Sequence, residues 1–402
     1  MRAAPRFGLT TRQWAVGLAG YCTFINLYSP QAILPLLSTE FGAGAAEIAN
    51  IMTASTLAVA LTAPFTGTVA DVLGRKRVIV TAMLLLGIPT VMCALASNLH
   101  ELIVWRFVQG LVMPPVFAVT IAYIGDEWEP HEATAAAGVY TSGASIGGFS
   151  GRFITGFLAD LIGWRYALGC IALMTLAGGI AVLFLLPRER KFIRSEGLIA
   201  STRQMLQHFR NPQSLATYAV GFGVLFCFVS IFTYINFRLA APPYNLSATW
   251  LGAIFIVYLV GSGLAPMAGW AVGRFGRRRF MIPVIGTWIA GVLLTLSGPL
   301  WLIIVGLTLS SAAGLICQAI STGYVTITAK AGRSSAVGLY VASFYIGGSF
   351  GAALGGIAWI FGGWPACVAM IVTVQLAMGA IVYFLWARRV PGAPAVTPIE
   401  PP

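Results

Sequence analysis

Long, unbroken apolar stretches limit what this chain can fold into more than any other feature. A helix crosses a bilayer on about 20 apolar residues, whereas outer-membrane strands need about 9–11 and alternate in polarity. The stretches here are long and continuous. They predict spanning helices at 14–36, 47–70, 78–97, 102–124, 134–159 and 166–187, then at 213–238, 249–272, 280–297, 300–328, 335–361 and 365–387. That makes twelve spans, joined by short connections except at 188–212. Composition agrees, because 58% of the 402 residues are hydrophobic and only 9% are Asp, Glu, Lys or Arg. So few charges cannot keep a soluble surface wet, which excludes an ordinary cytosolic enzyme, a disordered chain and a collagen-like chain. Arg2, Arg6 and Arg12 precede the first span. That span is too long for a signal-peptide core and has no convincing cleavage site, so a retained helix is expected.

Lys and Arg mark the cytoplasmic side of a membrane protein. With the N-terminus inside, 20 of the 24 basic residues fall on inner segments, Arg75-Lys76-Arg77 and Arg274 with Arg277-Arg278-Arg279 among them. The other four, Arg106, Arg152, Arg165 and Arg238, lie within spans or toward their outer ends. Eight acidic residues share the inner side, so the net charge of +12 is a topology signal and not a nucleic-acid groove. Both termini are expected to be cytoplasmic.

The chain also repeats itself. Gly147-Gly148, Gly151, Gly156 and Gly163-Trp164 return 200 positions later as Gly347-Gly348, Gly351, Gly356 and Gly363-Trp364. Gly67 through Arg77 returns as Gly269 through Arg279, offset by 202. An offset of six spans predicts two homologous six-helix bundles, 1–187 and 213–387, enclosing a cleft near the bilayer midplane. The stretch 188–212 becomes a cytoplasmic linker with an amphipathic segment over 191–210, and 388–402 a Pro-rich disordered tail.

Gly67, Asp71, Gly74, Arg75, Lys76 and Arg77 resemble the signature between the second and third helices of the major facilitator superfamily. In that family the constellation acts as a cytoplasmic lock; the bland reading is a positive-inside anchor. Asp71 is expected to pair with the basic cluster or with a helix N-terminus. The second copy has Gly273 where the Asp would stand, which weighs against a symmetrical lock. Arg106-Phe107-Val108-Gln109-Gly110 resembles the fourth-helix signature of drug:proton antiporters, whose arginine is linked to proton movement. An ionisable residue inside a span is a functional candidate by default, but Arg106 lies about one turn from the outer boundary, so snorkelling is the competing reading.

Gly143, Gly147, Gly151 and Gly156 resemble the antiporter signature of the fifth helix, with Arg152 where that signature has Pro. Together with Gly347, Gly351 and Gly355 in the second half, these glycines read as helix-packing surface, since small residues four apart let helices approach closely. Arg152 sits deep in its span on a small, polar stripe of Thr141, Ser145, Gly148 and Thr155, which predicts a side chain facing a cavity. Asn26 and Gln318 are further candidate cleft residues. Phe222, Phe226, Phe228 and Phe232 form an aromatic stripe read as packing. Tyr28-Ser29-Pro30-Gln31, the stretch from Tyr140 through Arg165, and Phe232-Thr233-Tyr234-Ile235 are similar to the YnfM-like (acriflavine-sensitivity) branch of bacterial inner-membrane transporters.

The resemblance implies an all-α membrane protein of the major facilitator fold, working as a monomeric secondary transporter in the bilayer of a bacterial inner membrane. It implies proton-coupled efflux of a small organic compound by alternating access. A facilitative or proton-coupled carrier of a sugar or anionic metabolite is the alternative. No phosphate-binding loop is present, so no ATP engine, enzyme activity, cofactor or metal is expected. The six cysteines lack paired spacing. None of the twelve Asp or Glu residues falls mid-span, so a cleft holding Arg152 and Arg106 favours neutral or anionic solutes.

Overall fold

A computed structural model describes residues 9–189, 211–328 and 333–386. The expected amphipathic segment at 191–210 and the tail at 388–402 lie outside these residues. Helices account for nearly all of the described chain, and no strand occurs among the described residues.

The first expected span is a broken rod. Helix α1 (Thr11–Tyr28) starts from a capping box in which the Thr10 hydroxyl accepts from the Gln13 amide and the Gln13 side chain accepts from the Thr10 amide. It gives way to a 3-10 turn at Ser29–Ile33, where Pro30 removes a backbone donor, and resumes as α2 (Leu34–Phe41). Five longer helices follow: α3 (Ala45–Leu73), α4 (Arg75–Leu95), α5 (Leu99–Glu127), α6 (Pro130–Ile162) and α7 (Trp164–Leu185). After the linker come α8 (Pro212–Ala240) and a second broken rod of α9 (Ala248–Ile254), α10 (Val257–Leu264) and α11 (Ala268–Phe275), interrupted by a turn at Phe255 and Ile256 and by a 3-10 turn at Ala265–Met267 that holds Pro266. Helices α12 (Arg277–Leu294), α13 (Leu300–Thr328) and α14 (Arg333–Leu385) complete the fold. The last two expected spans are continuous in α14, bent where Gly362 and Gly363 leave helical geometry.

The repeat is visible in the turns. Gly74 and Gly276 reverse the chain between α3 and α4 and between α11 and α12 with φ of 91° and 80°. Gly163 and Gly363 do so at the second repeated position with φ of 91° and 59°. Side chains with a Cβ resist this region of backbone space, which explains why glycine stands at all four turns.

Among the described residues, eight segments are long and apolar enough to cross a membrane, the last of them the bent Ala336–Leu385. Large apolar side chains stand exposed along the helices, Phe184 at 80% and Phe361 at 84%, as expected where lipid is the solvent. The described chain packs as two compact units, one of Met1–Gly197 with Asn236–Ile256 and the other of Leu198–Ile235 with Val257–Pro402. Glycine seams close both. In the first, a Cβ at Gly147 would lie 2.9 Å from the Tyr21 Cα, and one at Gly151 2.6 Å from the Ile25 carbonyl oxygen. In the second, a Cβ at Gly347 would lie 2.6 Å from the Phe222 carbonyl carbon, and one at Gly351 2.9 Å from the Phe226 Cα. Gly143 against Gly17, Gly156 against Ala248 and Gly355 against the Tyr234 ring are equally close.

Candidate functional site

A polar network is buried within the largely apolar core of the first unit. Arg106 and Gln109, one helical turn apart on α5, point the same way into it, and both are 1% exposed. One guanidinium nitrogen of Arg106 donates to the Asn26 carbonyl at 3.0 Å and also to the Gln109 Oε1. The other donates to the Leu27 carbonyl at 2.7 Å and to the Ser55 hydroxyl at 3.0 Å. Those two carbonyls lie at the end of α1, just ahead of Pro30, where the helix gives way and fewer amides compete for them. The Gln109 amide then donates to Asn26 Oδ1 at 3.0 Å and to Thr90 Oγ1 at 2.8 Å. Asn26 Nδ2 donates to Thr175 Oγ1 at 2.7 Å. Five helices, α1, α3, α4, α5 and α7, thus meet on one network.

Arg106 does not snorkel. Its acceptors are all neutral, and none of the ion pairs found among the described residues includes it. Such a cation is held by oriented dipoles rather than by a counter-ion, an arrangement that favours anions nearby.

Arg152 is equally buried, at 1% exposure. Its Nε donates to Gln31 Oε1 at 2.8 Å and a terminal nitrogen donates to the Gly148 carbonyl at 2.7 Å. The guanidinium carbon lies 4.1 Å from the centre of the Tyr28 ring and 4.3 Å from that of Phe255, a double cation–π contact. Of the small, polar stripe expected around it, Gly148 is a partner and Thr155 is buried, while Thr141 is exposed. Gln31 also links this group to Asn236, whose Nδ2 donates to the Gln31 carbonyl at 2.8 Å. The 3-10 turn at Ser29–Ile33 places Gln31 between these partners.

At the end of the first unit marked by the α3–α4 turn, Arg75 pairs with Asp126 at 2.6 Å and more loosely with Asp71 at 3.7 Å. Burial pushes the Asp71 carboxyl above its ordinary value, Arg75 opposes this, and the Asp126 charge adds to it. The N-terminus of α4 is taken by Glu189, whose Oε2 accepts from the Lys76 amide at 3.3 Å. Of the expected lock residues, Arg75 therefore lies between Asp71 and Asp126, while Gly74 and the Lys76 amide face Glu189. Gly67 and Arg77 stand exposed. The repeat copy is built differently. Arg277, the counterpart of Arg75, lies 4.7 Å over the Tyr324 ring, so an aromatic face replaces the carboxylates.

The carboxylates at the opposite ends of the helices are committed to structure. Glu47 accepts from the Gly44 amide at 3.1 Å, and Glu101 from the Ser97 amide at 3.0 Å. Glu40 pairs with Arg165 at 2.9 Å. Asp160 accepts from the Thr249 amide at 2.8 Å and the Thr249 hydroxyl at 2.6 Å, capping α9. Burial pushes the Asp160 carboxyl up, but its hydrogen bonds from Thr249, Ser247 and Ala248 outweigh that and hold it below the ordinary value.

Gln318 is half-buried on α13 in the second unit. The aromatic stripe packs inside that unit, Phe228 lying 5.4 Å from Trp288 and Phe232 4.6 Å from Tyr258 between ring centres. Sequence reasoning singled out Arg106, Gln109 and Asn26 but missed Ser55, Thr90 and Thr175, isolated hydroxyls in apolar helices. It also missed Gln31, Asn236, Asp126 and Glu189 as partners.

Comparison with known proteins adds to this geometry. The family model described as "Major Facilitator Superfamily" matches residues 16–264 and 237–401. The inner membrane transport protein YnfM of Escherichia coli (strain K12) is 35% identical over 385 residues, covering 94% of this chain and 91% of that protein. The 4-hydroxybenzoate transporter PcaK of Pseudomonas aeruginosa is 24% identical over 394 residues, covering 87% and 86%. Among solved structures, a point mutant of the nucleoside transporter NupG superposes with a TM-score of 0.77 at 13% identity. That match covers 93% of this chain and 100% of that one.

Proposed function

The chain belongs to the major facilitator superfamily, as a membrane transporter and not an enzyme, and on that premise we propose that it exports a small neutral or anionic organic solute in exchange for protons. The carrying observation is the fully buried Arg106, which donates to the neutral oxygens of Asn26, Leu27, Ser55 and Gln109 and joins no ion pair found among the described residues. A charge so placed attracts an anion and repels an organic cation, and the acidic residues that would offset it for a cationic substrate are spent at helix ends. The name of one relative, a 4-hydroxybenzoate transporter, supports the second reading of proton-coupled or facilitated carriage of an anionic metabolite, since that solute is an aromatic carboxylate.

In this account the polypeptide crosses a bacterial inner membrane twelve times as a monomer, with both termini in the cytoplasm. Two homologous six-helix bundles, 1–187 and 213–387, rock around a central cleft, with 188–212 as their cytoplasmic linker. Arg75, bridging Asp71 and Asp126, is the cytoplasmic lock, and Glu189 braces its turn. Arg106 with Gln109 and Asn26 serves proton movement and gives the interior its positive potential, whereas Arg152, seated between Tyr28 and Phe255, binds the solute, and Gln318 is a further residue of the substrate or proton pathway.

The test separates these roles in proteoliposomes. Arg106→Gln is expected to lose gradient-driven transport at least tenfold while keeping solute exchange, which moves no net protons. Arg152→Gln is expected to lose both. Wild-type rates in both assays for both variants would contradict the assignment.

A further inference from the structure

Each copy of the repeated basic turn borders a cavity. At the α11–α12 turn a 420 Å³ cavity is lined by Arg274, Phe275, Arg279, Phe280 and Pro283. At the α3–α4 turn a 590 Å³ cavity has Leu73, Lys76, Arg77, Leu183, Arg188 and Glu189 in its lining. Phe275 and Arg279 stand 202 positions after Leu73 and Arg77, so the two cavities occupy equivalent places in the repeat. Their arginines are deployed alike. Arg75 and Arg277 turn inward, onto Asp126 and onto the Tyr324 ring, whereas Arg77 and Arg279, two residues on, stand exposed at the cavities.

The walls are apolar and open. Leu73 is 56% exposed and Phe275 50%, with the Phe280 ring stacked 6.4 Å from Phe275. A soluble anion needs no such wall, while a membrane lipid presents acyl chain and headgroup side by side. Among the described residues, Glu189 is the sole carboxylate on either lining, and it is turned to the Lys76 amide; Lys76, Arg77 and Arg188 outnumber it there. No acid among the described residues lines the cavity of Arg274 and Arg279. The geometry points to two binding sites for the phosphate headgroup of an anionic phospholipid, one per repeat. The arginines take the phosphate and the exposed Leu73 or Phe275 takes the first part of an acyl chain.

The test uses full-length protein, delipidated in detergent and titrated with dioleoyl phosphatidylglycerol or the matching phosphatidylcholine, with bound lipid counted by native mass spectrometry. Two phosphatidylglycerol molecules are expected to be retained in preference to phosphatidylcholine. Arg274→Gln with Arg279→Gln leaves one, and so does Arg77→Gln with Arg188→Gln, with binding weakened roughly fivefold per arginine. Arg277→Gln leaves two. Equal retention of both lipids, or a count unmoved by the paired substitutions, overturns the proposal. Displacement by inorganic phosphate as effective as by lipid reassigns the cavities to a soluble anion and overturns the lipid assignment. Photoreactive phosphatidylglycerol on the wild-type protein gives a readout independent of any variant. Labelling at both turns supports the two sites, and labelling only elsewhere refutes them.

Discussion

Asn26 carries more of the Arg106 network than its single amide suggests, because its Oδ1 accepts from both Gln109 and Thr90 while its Nδ2 reaches Thr175. Asn26→Leu leaves those three buried groups short of a partner. Leaving a buried polar group unpaired costs about 1–3 kcal/mol, so the variant should lower the thermal midpoint in detergent markedly. Thr175→Val, which removes one acceptor at the edge of the network, should cost less. Asp160 makes a second residue-level prediction. Its carboxyl is held below the ordinary 3.8, so it stabilises the folded state above the unfolded value and that contribution is lost as pH falls through the folded value. Asp160→Ala should therefore cost about 1 kcal/mol at neutral pH, the usual worth of a helix cap, and the gap to wild type should close in strong acid. Melting both proteins across pH 3–7 checks it; a gap that widens on acidification would refute the cap. At this scale the sequence was partly legible. Arg106 and Gln109 stand out because ionisable and amide groups are rare in spans, whereas Ser55, Thr90 and Thr175 look like any helix-embedded hydroxyl until distant helices bring them together. The competing snorkel reading of Arg106 failed for a local reason: the chain breaks at Pro30 and offers two carbonyls inward.

Helix packing is where spacing alone carried furthest. Glycines four apart on α6 and α14 predicted close helix approach, and a Cβ at Gly151 would stand 2.6 Å from the Ile25 carbonyl oxygen. Gly151→Leu should cost about 1–3 kcal/mol or more through overpacking. Gly286→Ala makes the control, since nothing lies within 4 Å of its added Cβ and alanine is the better helix former. Thermal midpoints that fall for Gly151→Leu and hold or rise for Gly286→Ala are expected; equal effects would contradict the seam. The breaks in the first and eighth expected spans were less legible. Apolar content runs through them unchanged, and although Pro30 and Pro266 each lie in a 3-10 turn, the break at Phe255 and Ile256 has no proline to mark it. The packing of Asn236–Ile256 with the first unit was not legible at all, because it is set by Asp160, Gly156 and Arg152, about a hundred residues away in sequence.

For the whole molecule, the twofold repeat and, in the proposed topology, the inward bias of Lys and Arg explain how so few charges suffice. Most anchor the chain, the described acids at the other helix ends cap helices or pair with arginine, and Arg106 and Arg152 remain inside. The repeat is structural more than chemical, since the Arg75–Asp126 pair of the first copy becomes Arg277 on the Tyr324 ring in the second. In the proposed account, substrate polarity and coupling follow from the buried cation of Arg106, whose hydrogen-bond acceptors are neutral oxygens. The most direct measurement is solute accumulation in everted membrane vesicles, comparing an aromatic carboxylate, a neutral sugar and a lipophilic cation with and without an imposed pH gradient. The account predicts gradient-dependent accumulation of the carboxylate or the neutral solute and none of the cation. Accumulation of the lipophilic cation alone, or transport of any solute indifferent to collapse of the gradient, would contradict it.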